Sequence, residues 1–73
     1  MTRMDALVRR INFVDGGRHL VFVDRKGQLD TCDFPSPRAT ALIDRTPPAW
    51  RIVGVFSSGI TLPELAAQVR AAK

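Results

Sequence analysis

The chain has one cysteine and one histidine among its 73 residues. Cys32 alone closes no intrachain disulfide, so neither a disulfide nor a cysteine-based metal site can staple the fold. His19 alone lacks the partners that a histidine metal site or a histidine acid–base pair requires. Long hydrophobic runs are missing as well. No window approaches the roughly 20 apolar residues of a membrane span. Arg9 and Arg10 interrupt Ala6-Leu7-Val8 before a signal-peptide core forms. The lone thiol and the missing export signal make the cytoplasm the expected compartment, with no membrane partner. No internal repeat, low-complexity tract or block of like charge is present, and such a block is what makes a nucleic-acid tail. A chain this short buries only roughly 60% of its unfolded surface. Residues 1–73 therefore allow one small domain, with 1–5 as a flexible N-terminus. A multi-domain enzyme or a doubly wound cofactor fold does not fit.

What is present suits a small globular protein: 45% hydrophobic and 25% charged residues. The balance is basic, with Lys plus Arg 11 against Asp plus Glu 7 and a net charge of +4. Nine of the cations are arginines, at 3, 9, 10, 18, 25, 38, 45, 51 and 70. Arginine favours bidentate contacts to phosphate or carboxylate, but an Arg-rich, Lys-poor chain also follows from the base composition of a genome. The arginines are mostly single and dispersed.

Residues 6–14 alternate with period two. Leu7, Ile11 and Phe13 share one side with Arg9, while Val8, Arg10, Asn12 and Val14 take the other. This predicts a strand. Asp15-Gly16-Gly17 is a hairpin signal, and residues 18–24 alternate again. A Gly16-Gly17 turn sets Phe13 opposite Leu20, Ile11 opposite Phe22 and Arg9 opposite Asp24, which matches apolar with apolar and charge with charge. After the Arg25-Lys26-Gly27 turn, Gln28 to Phe34 reads as a short edge strand whose charges discourage stray pairing.

Ser36 caps and Pro37 starts a short helix carrying Ala39, Leu42 and Ile43, ending near Asp44-Arg45 before Thr46-Pro47-Pro48. Residues 49–56 are apolar on both sides, which predicts an interior strand, with Gly54 marking a bulge or a close packing point. Thr61 and Glu64 form a capping box, with Ile60 and Leu65 as the hydrophobic staple. Leu62, Leu65, Ala66 and Val69 line one face of the last helix. The expected architecture is α+β: a four-stranded, mainly antiparallel sheet with the C-terminal helix on one face and a short middle helix. The expected core is Leu7, Ile11, Phe13, Leu20, Phe22, Ile52, Phe56, Leu65 and Val69.

No residue pattern predicts catalysis, a metal or a cofactor. Cys32 lies beside Asp30 and Asp33, whose charge raises a thiol pKa, so it reads as a structural thiol. On a strand, Asp30 and Asp33 point to opposite faces and form no carboxylate pair. Gly16-Gly17 lacks the downstream glycine and Lys-Ser/Thr ending of a phosphate loop. Binding is the class that remains. In the predicted hairpin, the sheet face away from Phe13 and Phe22 carries Val8, Arg10, Asn12, Val14, His19, Val21 and Val23. With one long helix on the other face, this patch is open and suits a protein partner. The alternatives are a second covering element, a homodimer in place of a monomer, or direct nucleic-acid binding.

In length, Arg-rich basic composition and the absence of a catalytic constellation, the chain resembles small phage-encoded proteins that bind host RNA polymerase. The resemblance carries over no residue. It implies a non-enzymatic regulator that attaches to an RNA polymerase subunit and inhibits or modifies transcription. The residues themselves make the Arg10–His19 face and the N-terminal segment the expected contact.

Overall fold

A computed structural model of the chain describes residues 2–72. The first element is a helix, α1 (Arg3–Asn12), where the alternation predicted a strand. Leu7 and Ile11 are four apart, so a strand and a helix both put them on one side. Met4 and Val8 decide the outcome. With Leu7 and Ile11 they complete the i, i+3, i+4, i+7 stripe of an amphipathic helix, and all four belong to one apolar cluster. Just upstream, the Thr2 hydroxyl accepts from the Asp5 amide at 3.1 Å, and the Thr2 amide donates to the Asp5 carboxylate at 3.2 Å. This capping box satisfies amides that a helix start leaves without partners. Residues 2–5, expected as a flexible N-terminus, are thus the cap and first turn of α1.

The sheet accordingly has three strands, not four, in the order β2-β1-β3 and antiparallel throughout. β1 (Arg18–Val23) is central and buried from His19 onward. Asp15-Gly16-Gly17 does turn the chain, but from helix to strand. The Gly17 amide donates to the Val14 carbonyl at 3.0 Å, and Gly16 takes a φ of 75° that only glycine accepts freely. The predicted pairings of Phe13, Ile11 and Arg9 therefore do not form. The hairpin joins β1 to β2 (Leu29–Phe34) instead, around a turn in which the Asp24 carboxylate accepts from the Lys26 and Gln28 amides. β2 is an edge strand, as its charges suggest.

Helix α2 (Pro37–Asp44) starts as the sequence predicts, with the Ser36 hydroxyl accepting from the Ala39 amide at 3.1 Å. β3 (Arg51–Ser57) lies at the other edge of the sheet, not in its interior. Its apolar character on both sides has another cause: helices cover both faces of the sheet. Val21 pairs with Gly54 while Phe22 pairs with Ile52, so Val53 is an extra residue in a bulge beside the expected glycine. Helix α3 (Leu62–Ala71) is capped by Thr61, which accepts from the Glu64 amide at 3.3 Å and donates its hydroxyl proton to the Glu64 carboxylate at 2.8 Å.

Two apolar clusters result, one on each face. Leu20, Phe22, Cys32, Ala39 and Leu42 form the α2 side, where Trp50 stacks on Phe22 with ring centroids 5.4 Å apart. Leu7, Ile11, Val21 and Leu65 form the side of α1 and α3, with Phe56 and Val69 packed against them. Of the expected core, only Phe13 lies outside, at 86% exposed. Among the described residues, no helix is long and apolar enough to cross a membrane.

Candidate functional site

Arg9 and Arg10 occupy the last turn of α1, where cations meet the negative end of the helix dipole. Just beyond the end of the helix, Phe13 and Val14 stay exposed. The turn at Gly16-Gly17 then brings the chain back into β1. A side chain at Gly17 would place its Cβ 3.0 Å from the Val14 carbonyl, so glycine keeps this turn tight. The antiparallel register sets Arg18 opposite Phe34 and His19 opposite Asp33. These pieces of α1, the turn, β1 and β2 surround an open hollow of about 720 Å³, within the usual range for ligand sites of about 300–1,000 Å³.

Positive charge and aromatic surface meet there. The Arg18 guanidinium lies over the Phe34 ring, 5.2 Å from its centroid, an attraction of roughly 0.5–1 kcal/mol at an exposed site. This contact holds the guanidinium over the ring. Among the described residues, the single acid–base contact within 4.0 Å is His19 Nε2 to Asp33 Oδ1, at 3.1 Å. No arginine there is neutralised by a touching carboxylate. His19 is buried and its Nδ1 has no hydrogen-bond partner among the described residues, whereas the Asp33 side chain is 79% exposed.

β2, which supplies Asp33 and Phe34, is closed to a further strand along much of its outer edge. The Asp24 amide bonds the Gln28 carbonyl. By the alternation of an antiparallel ladder, Leu29, Thr31 and Asp33 then point their backbone groups outward. Arg3 donates to the Leu29 carbonyl at 3.4 Å, the Thr31 amide donates to the Asp30 carboxylate at 2.7 Å, and the Ser36 hydroxyl donates to the Asp33 carbonyl at 2.6 Å. Of the charges read from the sequence as edge protection, Asp30 acts here through a specific hydrogen bond.

Of the residues expected to form an open valine face, Arg10, Val14 and His19 come together at the hollow. Val21 is fully buried and Val8 packs half-buried against the same cluster, because α1 itself covers that face. Asn12 is occupied within the chain: its side-chain amide donates to the Ile60 carbonyl at 2.9 Å and its carbonyl accepts from the Gly59 amide at 2.7 Å. Arg9, Phe13, Arg18, Asp33 and Phe34 join the site without having been expected there. The helical spacing of Met4, Leu7, Val8 and Ile11 is the signal that would have placed Phe13 beyond the helix and outside the core. Cys32 pairs with Leu20, one position from the His19–Asp33 pair, and so faces the opposite side of the sheet from His19. Among the described residues, no group of three His, Cys, Asp or Glu side chains is placed to hold a metal ion. No family model matches the chain, and comparisons with curated proteins and with solved structures find none that match it.

Proposed function

We propose that the chain is a non-enzymatic regulatory protein that docks on a protein machine in the cytoplasm, with bacterial RNA polymerase as the first candidate, and thereby inhibits or modifies transcription. The observation that carries this reading is the hollow lined by Arg9, Arg10, Arg18 and the exposed Phe13. Interfaces are enriched in arginine and aromatic side chains because each provides large contact area and directional bonding. RNA polymerase enters through the phage-protein resemblance in size and composition. The test is binding of the purified full chain to purified bacterial RNA polymerase, followed by promoter-dependent transcription with the complex. Saturable binding and a changed transcript yield support the reading. No binding at micromolar concentrations removes the polymerase as partner.

One observation favours a second reading. An exposed phenyl ring beside unpaired arginines can stack a base while the cations meet phosphates. Direct nucleic-acid binding predicts an affinity that falls steeply with salt, and fluorescence anisotropy with DNA and RNA measures it. Absence of binding at low salt rejects this alternative.

A further inference from the structure

We infer that the hollow at the end of α1 recognises an acidic peptide segment bearing an aromatic side chain, gripped through side chains and not added as a fourth strand. This rests on the docking reading above and specifies its ligand. Three features of the site set the ligand's chemistry. Arg9, Arg10 and Arg18 gather at one hollow, and guanidinium groups bind carboxylates through paired N–H donors. Phe13, at 86% exposed, and the partly buried Phe34 supply ring surface for an aromatic residue set between the acids. The exposed Asp33 carboxylate offers an acceptor for the amide N–H groups that a peptide carries.

The same features weigh against a nucleic-acid strand. None of the other six arginines lines the hollow or extends it into a track: Arg3 opens α1, Arg25 lies between β1 and β2, Arg38 is on α2 and Arg45 just after it, Arg51 is on β3 and Arg70 on α3. A strand of several nucleotides requires such a track. Strand addition at β2 is disfavoured because Arg3, Asp30 and Ser36 already occupy backbone groups on its outer edge. The ligand is therefore compact, mixed in character and held by its side chains.

The experiment measures fluorescence anisotropy of a labelled peptide with a Glu-Phe-Glu centre and Gly-Ser flanks, titrated with the full chain. Binding should weaken by about tenfold or more when both glutamates become glutamine, when the phenylalanine becomes alanine, in the Arg9→Ala/Arg10→Ala chain and in Phe13→Ser. Arg10→Lys should weaken it less than Arg10→Ala, since charge remains and the forked donors are lost. Arg25→Ala and Arg45→Ala should leave it unchanged. The substituted positions are exposed, and an unaltered circular dichroism spectrum confirms that each variant folds. The inference is overturned if the peptide does not bind, if the Arg9, Arg10 and Phe13 variants bind it normally, or if a labelled oligothymidylate binds more tightly through the same residues. Polymerase binding that survives in these variants removes this ligand assignment and leaves the regulator standing. Peptide binding without polymerase binding does the reverse.

Discussion

At the scale of single residues, Ala49 carries the clearest backbone strain. It closes the turn in which the Trp50 amide donates to the Pro47 carbonyl at 3.1 Å, and its φ is 70°. A side chain disfavours that left-handed conformation by roughly 1–2 kcal/mol, and glycine accepts it freely. Ala49→Gly should therefore stabilise the chain by up to about 1 kcal/mol, the relief of strain being partly offset by a more flexible unfolded state. This corresponds to a rise in Tm of up to roughly 4–8 °C for a domain of this size, and differential scanning calorimetry reads it directly. A lower Tm would show that the alanine methyl group contributes more through contacts than it costs through strain. The turn delivers Trp50 onto Phe22, so the strained residue positions the largest side chain of the α2 side. Asn12 illustrates a different point at this scale. The sequence presents it as a polar contact for a partner, yet both ends of its side chain are spent on the Gly59-Ile60 loop. Only the fold reveals that partner, because it lies more than forty residues away in sequence.

At the scale of elements, α1 depends on its cap and α3 on a single buried anchor. The Asp5 carboxyl is held below its ordinary pKa, first by its hydrogen bond to the Thr2 hydroxyl, then by the Thr2 backbone amide and the nearby Arg9 charge. A lowered folded-state pKa means that the charged form favours the folded protein. Its contribution is complete above the ordinary aspartate pKa of about 3.9 and disappears as pH falls through the lower folded value. Asp5→Asn should thus be less stable than the parent at neutral pH, and the difference should shrink in acid. Urea melts at pH 6 and at about pH 2 test it, and a gap that widens in acid contradicts the assignment. In α3, Leu65 is the one fully buried side chain. Leu65→Ala should cost about 2–5 kcal/mol, seen as a lower urea midpoint with loss of helical signal. The two later helices were legible because Ser36-Pro37 and Thr61-x-x-Glu64 are local signals. So was the irregularity beside Gly54, read as a bulge or a close packing point and found as a bulge at Val53. The first helix was not read as one, because its stripe shares the Leu7–Ile11 step with a strand and the alternation drew attention from the cap at Thr2. The site failed to emerge for the same reason: placing Phe13 in the core hid an exposed ring that lines the same hollow as Arg9, Arg10 and Arg18.

At the scale of the whole molecule, one strand serves two thin cores. β1 is buried from His19 to Val23, and its alternate side chains feed opposite clusters. Each cluster is too small to stand alone, which is how 73 residues sustain a fold without a disulfide. Charge works against that economy. The net charge is +4, and among the described residues no arginine or lysine touches a carboxylate within 4.0 Å. Added salt therefore has little attraction to screen and some self-repulsion to relieve. Tm should rise modestly between low salt and about 0.5 M sodium chloride, where the Debye length falls to a few ångströms. A fall would mean that favourable charge pairs dominate. The guarded edge of β2 also bears on how the backbone breathes. The Thr31 amide faces away from β1, where an edge amide ordinarily trades its proton with water quickly, but here the Asp30 carboxylate holds it at 2.7 Å. Deuterium should enter at Thr31 more slowly than at Asp33, the next outward-facing amide on the strand, and Asp30→Ala should erase the difference. An edge strand to which another chain could attach thus carries a local latch between neighbouring residues.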